Sequence, residues 1–212
     1  MQSFNTDKIF VTGIGTGIGK TVVSAILVEA LNADYWKPVQ AGYEDGTDSE
    51  WIKSVVSNKE TRIHNEAYKL KLPASPHIAA RSEQQKIDLD FIRQQMPAAK
   101  QLVIEGAGGL MVPLNEDEFV ADLVIKLEVP VVLVSRNYLG SINHSLLTAQ
   151  ACKAKNIQVM GWIFNDHFMN YEEDIVRWSG FPRIASIPFN DKADRQFIST
   201  QAKALRNKLM MS

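Results

Sequence analysis

The chain has 212 residues, a formal net charge of −1 and one cysteine, Cys152. This is length enough for one large domain with a substantial core, and the near-neutral charge provides no basic footprint for nucleic acid. One cysteine excludes an internal disulfide, no apolar run approaches a membrane span, and residues 1–7 lack the apolar core of a secretory signal, so a soluble cytoplasmic protein is expected.

Residues 8–12 form an apolar run that reads as a buried strand. The loop Gly13-Ile14-Gly15-Thr16-Gly17-Ile18-Gly19-Lys20-Thr21 follows, and 22–31 is apolar and long enough for a packed helix. Strand, glycine loop and helix together form the setting of a phosphate-binding loop. Glycines let backbone N–H groups close on phosphate oxygens, and the helix N-terminus adds partial positive charge. Lys20 is expected to reach the β- and γ-phosphates, and the Thr21 hydroxyl to ligate magnesium. The loop is one residue longer than the common pattern, because position 14 is Ile and the earlier glycine is Gly13. The dinucleotide fingerprint fails, since Ile18, Lys20 and Val22 occupy the possible third-glycine positions. A connecting turn would explain the glycines but not Gly19-Lys20-Thr21 at a strand-to-helix junction.

Next, 35–39 reads as a strand end, and 49–56 as a short helix with Thr47 or Asp48 at its cap. Residues 67–72 suggest a short strand, Ser75-Pro76-His77 a helix start, and 88–96 a helix ending at Pro97. A strong strand at 101–105 runs into a second glycine loop, Gly106-Ala107-Gly108-Gly109. The order continues as helix 119–128, strand 130–135, helix 141–155 and strand 159–165. It closes with helix 171–178, strand 183–187 and helix 191–209. With no repeat or linker visible, this alternation predicts a single α/β domain over 1–212. Its parallel sheet carries helices on both faces and resembles P-loop NTPases. Ligands of such sheets lie at the strands' carboxyl ends, where the Gly13 loop, Lys37, Glu105, Ser135 and Asn165 all fall.

Glu105 ends its strand beside the phosphate loop, a place suited to holding magnesium directly or through water. Spacing leaves Asp48 as either a helix cap or a second magnesium carboxylate, with the cap the simpler reading. Lys37 precedes Pro38 at an apolar strand end, where it either reaches solvent or faces the phosphates. His64, His77, His144 and His167 show no zinc spacing, so surface or capping positions are expected. Cys152 sits among Ala and Leu and reads as a packed thiol rather than a nucleophile.

The segments F-V-T-G-I-G-T-G-I-G-K-T, Y-W-K-P-V-Q-A-G, S-P-H-I-A-A, V-I-E-G-A-G-G-L-M-V-P-L, L-G-S-I-N-H-S-L-L-T-A-Q and G-W-I-F-N-D resemble dethiobiotin synthetase in content and order. The resemblance implies an ATP- and magnesium-dependent ring closure of 7,8-diaminopelargonic acid with carbon dioxide. It assigns Thr21, Asp48 and Glu105 to magnesium and Thr16, Lys20 and the loop Gly15, Gly17, Ile18 and Gly19 to the phosphates. Lys37 faces the carbamate and γ-phosphate. Asn165 reads the adenine edge with backbone near Pro188 and Phe189. Ala41, Gly106, Gly108 and Gly109 belong to the substrate site, and Gly140, Ser141, Ile142 and Asn143 hold the substrate's far carboxylate across a homodimer interface. Many relatives carry carboxylates where this chain has Gly15 and Gly17. They often have Ser or Thr in place of Ala41, so a hydroxyl contact to the carbamate is either missing here or replaced, with Gln40 the candidate. The competing class is a nucleotide-switch ATPase of the partition or metallochaperone kind, whose loops often carry an extra lysine that 13–18 lacks. A domain of an amidotransferase-type ligase is a third reading, disfavoured because the chain ends soon after Phe189.

Overall fold

The computed structural model describes residues 6–166 and 168–210. Strand β1 (Lys8–Gly13) passes through the glycine loop into α1 (Lys20–Leu31), followed by β2 (Asp34–Trp36), β3 (Val39–Ala41) and α2 (Asp48–Val55). Then come β4 (Ile63–His64), β5 (Tyr68–Leu70), α3 (Pro76–Ser82), α4 (Leu89–Gln95) and β6 (Leu102–Glu105). The chain continues through α5 (Val120–Leu127), β7 (Val131–Arg136), α6 (Ser141–Ala154) and β8 (Val159–Asn165). After a 3₁₀ turn, α7 (Glu172–Ser179), β9 (Arg183–Ile187) and α8 (Arg195–Met210) complete the order. The main sheet runs β4-β2-β6-β1-β7-β8-β9 with every pairing parallel, and β3 pairs with β5 in a small second sheet.

Alternation along the strands divides the core in two. Ile9, Val11, Tyr35, Val103, Val132, Val134 and Ile163 pack toward α1, α2 and α8. Phe10, Trp36, Ile104, Leu133, Trp162 and Phe164 pack toward α3–α7. Both faces are apolar because both are covered, which is why these strands read as continuous hydrophobic runs. The chain departs to opposite sides of β1, reaching β6 and β2 on one side and β7 on the other. That reversal opens a crevice at the carboxyl ends of the strands.

Several boundaries differ from expectation. The strand expected at 35–39 breaks at Lys37-Pro38, because Pro38 has no N–H for a ladder, and β3 leaves for the small sheet. Strand β4 is too short to announce itself by pattern. Thr47 caps α2 through a reciprocal capping box with Glu50, so Asp48 lies inside the helix. The cap position of α6 is Gly140 at φ 107°, and Ser141 is the first helical residue. The last helix starts at Arg195 rather than 191, because the Asn190 side chain turns the chain by accepting from Lys192 N and Ala193 N.

Candidate active site

The phosphate loop takes its shape from positions where only glycine fits. Gly19 has φ 88°, and a Cβ there would lie 1.9 Å from Asn165 Nδ2. A Cβ on Gly109 would press at 3.2 Å on Gly13 O and Gly15, so the second glycine loop packs directly on the first. Lys20 curls back over the loop, its Nζ donating to Gly15 O at 2.7 Å. Burial pushes its pKa down to about 8, against the pull of Glu105.

Strand alternation supplies the rest. Tyr35 pairs in register with Val103, on the face toward α1. Lys37 follows Tyr35 by two residues and Glu105 follows Val103 by two, so all three side chains share that face. Thr21, in the first turn of α1, and Asp48, first in α2, meet them there. Thr21 Oγ1 lies 3.1 Å from Asp48 Oδ1 and 3.0 Å from Glu105 Oε1. Lys37 Nζ donates to Asp48 Oδ2 and, at 3.3 Å, to Glu105 Oε1. Tyr35 OH donates to Glu105 Oε2 at 3.0 Å. Glu105 is 1% exposed and Lys37 7%. Burial disfavours the Lys37 ammonium, but Glu105 and Asp48 outweigh it and raise its pKa. Burial, and then the Glu105 charge, hold the Tyr35 phenol well above its ordinary value, so it acts as a donor.

These oxygens suit a hard cation. The single Thr21 proton serves one carboxylate at a time, so one of its two short contacts sets lone pair against lone pair. A cation among Thr21 Oγ1, Asp48 and Glu105 relieves that opposition, and all are oxygen donors of the kind magnesium takes.

The expected cleft residues converge in part. Thr16, Lys37, Ala41, Asp48 and Gly108 line a cleft of about 520 Å³ together with Ala107, which was not expected there, whereas Gly106 and Gly109 are not among its lining. Gln40 turns its amide N–H to Gly42 O at 2.7 Å, a local bond rather than one into the cleft. Asn165 donates to Ile18 O at 3.1 Å, which ties the end of β8 to the phosphate loop. Beyond β9, the exposed ring of Phe189 lies under the Arg136 guanidinium at 5.5 Å. Gly140, Ser141, Ile142 and Asn143 do not line the Lys37 cleft. His144, one residue on, sits across the phosphate loop with Tyr138, whose hydroxyl meets its Nδ1 at 2.6 Å. His64 pairs with Asp34 and His77 with Ser75 Oγ, while His167 lies outside the described residues. Cys152 is fully buried, and burial pushes its thiol up to about 12, which removes it as a nucleophile.

Tyr35 is the participant that motif reading missed. Its position two residues before Lys37 on a buried strand was the available signal.

Lys20 gives a pH prediction. Its folded pKa of about 8 lies below the ordinary 10.5, so between those values the unfolded chain binds more protons and this group's contribution to stability grows as pH rises. Nucleotide phosphates, if this loop takes them as its sequence implies, would favour the ammonium again. ATP binding near pH 9 is therefore expected to take up a proton, read by calorimetry in buffers of different ionisation enthalpy. Loss of the buffer dependence in Lys20→Ala assigns the uptake to this residue, and no dependence in the unaltered chain rejects it.

A family model described as an AAA domain matches residues 7–196. The chain is 46% identical over 199 residues to a protein of Cytophaga hutchinsonii named as an ATP-dependent dethiobiotin synthetase, covering 93% of this chain and 96% of that one. It is 45% identical over 201 residues to the synthetase of the same name from Christiangramia forsetii, covering 94% and 96%. Among solved structures, the MinC:MinD cell division complex of Aquifex aeolicus superposes with a TM-score of 0.58 at 12% identity, covering 97% of this chain and 95% of that one. That likeness speaks for the P-loop architecture alone, so the switch-ATPase reading keeps only a shared fold, whereas full-length identity above 40% decides the lineage. The chain belongs to the ATP-dependent dethiobiotin synthetase family.

Proposed function

We propose that the chain forms dethiobiotin from 7,8-diaminopelargonic acid and carbon dioxide with ATP and magnesium, releasing ADP and phosphate, as a cytoplasmic enzyme of biotin biosynthesis in which 1–212 act as one ATP-binding domain. The observation that carries this is the meeting of Lys37, Thr21, Asp48 and Glu105 beside the phosphate loop, in a chain 46% identical to a named synthetase.

One substrate amine takes up carbon dioxide as a carbamate and loses a proton. A carbamate oxygen attacks the γ-phosphorus and ADP leaves, giving a carbamic–phosphoric anhydride. The second amine attacks its carbonyl carbon, and phosphate departs as the five-membered ring closes. No step calls for a covalent protein nucleophile. The work is positioning and stabilisation of developing negative charge. Lys20 and the loop from Gly15 to Gly19, with Thr16, hold the phosphates. Lys37 holds the carbamate against the γ-phosphate from the floor of the cleft. Ala41, Gly106, Gly108 and Gly109 frame the diamine end. Asn165 with the backbone at Pro188 and Phe189 receives the adenine. Thr21, Asp48 and Glu105 would hold magnesium, which would supply neutralisation of negative charge at the phosphates. The decisive experiment compares ATP hydrolysis with and without the diamine and bicarbonate and identifies dethiobiotin by mass. Hydrolysis indifferent to both additions, without that product, rejects the reading.

The same proposal includes a homodimer with shared sites. The substrate's carboxylate lies a long alkyl chain from its amines. Backbone N–H groups at the start of α6, around Gly140, Ile142 and Asn143, suit such an anion, with Ser141 N–H already donated to Tyr138 O and the Ser141 side chain beside them. They stand apart from their own protomer's Lys37 cleft, which favours service to a neighbour's. Exposed Leu139, Leu147 and Met111 give this side an apolar surface to cover. Homodimers of Lys20→Ala and of Asn143→Asp are each expected to be nearly inactive. Random mixing leaves one intact composite site in each mixed dimer, so about a quarter of full activity returns. Mixed dimers seen by sedimentation without recovered activity reject the shared site.

A further inference from the structure

We infer that Tyr35 is a positioning residue for the cation site, fixing the rotation of the Glu105 carboxylate so that Oε1 faces Thr21, Asp48 and Lys37. The geometry divides the two oxygens of Glu105 cleanly. Oε2 receives the Tyr35 hydroxyl at 3.0 Å, while Oε1 receives Lys37 and lies 3.0 Å from Thr21. Glu105 is 1% exposed, so water is a poor substitute for the phenol. A carboxylate whose terminal torsion is free presents either oxygen, because sp³–sp² rotations of this kind are broad. With Tyr35 on Oε2, one oxygen is committed to the protein and the other is aimed at the cation position.

The sheet makes this arrangement rigid. Tyr35 is 0% exposed and held on β2, whose register against β6 places it beside Val103, two residues before Glu105. Donor and acceptor therefore project from adjacent paired strands. A buried tyrosine hydroxyl needs a partner in any case, so a purely structural bond is the competing account. The two make different predictions. A structural bond alters stability alone, whereas a positioning bond alters how tightly the carboxylate takes a cation. Partners of this kind typically contribute 10–100-fold to metal affinity.

The claim rests on the magnesium part of the proposed function, but its test does not need the reaction. Tyr35→Phe removes one oxygen and keeps the ring. Manganese binding to the ADP-loaded protein is measured by electron paramagnetic resonance for the unaltered chain, Tyr35→Phe, Glu105→Gln and the double variant. The expected result is manganese affinity weakened about 10–100-fold in Tyr35→Phe, with ADP affinity in the absence of metal unchanged. In the Glu105→Gln background, Tyr35→Phe is expected to add little, because both act through one carboxylate. Manganese affinity within twofold of the unaltered chain, or additive losses in the double variant, overturns the inference. So does a Tyr35→Phe chain that fails to fold, since the phenol would then be structural. A chain that binds manganese as expected yet forms no dethiobiotin refutes the reaction and leaves this inference standing.

Discussion

Lys20→Ala is expected to fold normally and to lose about 10²–10³ of ATP-dependent turnover, the scale of removing one preorganised charge-stabilising group. The fold is expected to survive because this lysine contributes little to it. The residue is 7% exposed, burial pushes its pKa down to about 8, and its Nζ donates to the Gly15 carbonyl. Removing a desolvated cation relieves a cost. In the proposed reaction turnover falls because the loop amides would orient phosphates with only partial charge, whereas Lys20 would bring a full charge to the β,γ-bridge. Arginine is not expected to rescue it, since a planar fork does not fit where a compact ammonium curls over the loop. Circular dichroism checks the fold, and steady-state rates at saturating diamine and bicarbonate check the chemistry. Near-normal turnover in Lys20→Ala removes this residue from phosphate handling.

What the sequence disclosed follows from how local each signal is. The strand, glycine loop and helix around Gly13–Thr21 are contiguous, so backbone requirements and the lysine appear together in one stretch. Glu105 was legible because a charge ending an apolar run before a glycine loop has few bland explanations. Asp48 was not, because a carboxylate at a helix start serves equally as a cap, and only Thr47 taking the cap through Glu50 frees it. Tyr35 was hidden for a different reason. An aromatic residue in a buried strand is ordinary core, and its hydroxyl gains meaning only from β2 lying beside β6, which is 68 residues further along the chain by their first residues, Asp34 and Leu102. The break at Lys37-Pro38 was written in the proline, yet an apolar run on either side obscured it. The start of α6 at Ser141 falls where the sequence placed it, and the cap before it is Gly140, which turns through positive φ.

Lys37→Gln is expected to lower turnover far more than it weakens ATP binding, and also to expose how the two carboxylates are held apart from metal. The ammonium is the cation shared by Asp48 and Glu105. Without it, the 1%-exposed Glu105 keeps Tyr35 and Thr21 as hydrogen-bond partners but loses its counter-charge. Removing one member of a buried ion pair costs about 3–5 kcal/mol. Asp48 is 31% exposed at its side chain and can turn to water, which places the expected loss near the lower end. At about 2–4 °C per kcal/mol for a chain of this size, the melting midpoint falls by roughly 6–12 °C. The Lys37 pKa is raised above 10.5, so this stabilisation is fully present below that value and fades only as pH climbs through the folded one. A divalent cation replaces the missing charge at the same oxygens. Magnesium is therefore expected to raise the midpoint of Lys37→Gln more than that of the unaltered chain, where the ammonium competes for Glu105 Oε1. Turnover of the variant is expected to stay low even at saturating magnesium, because metal restores the charge at the carboxylates but not the ammonium proposed to face the carbamate. Equal magnesium stabilisation of both proteins would show that Lys37 and the metal use separate oxygens, and equal losses in turnover and ATP affinity would place Lys37 on the nucleotide rather than on the reacting centre.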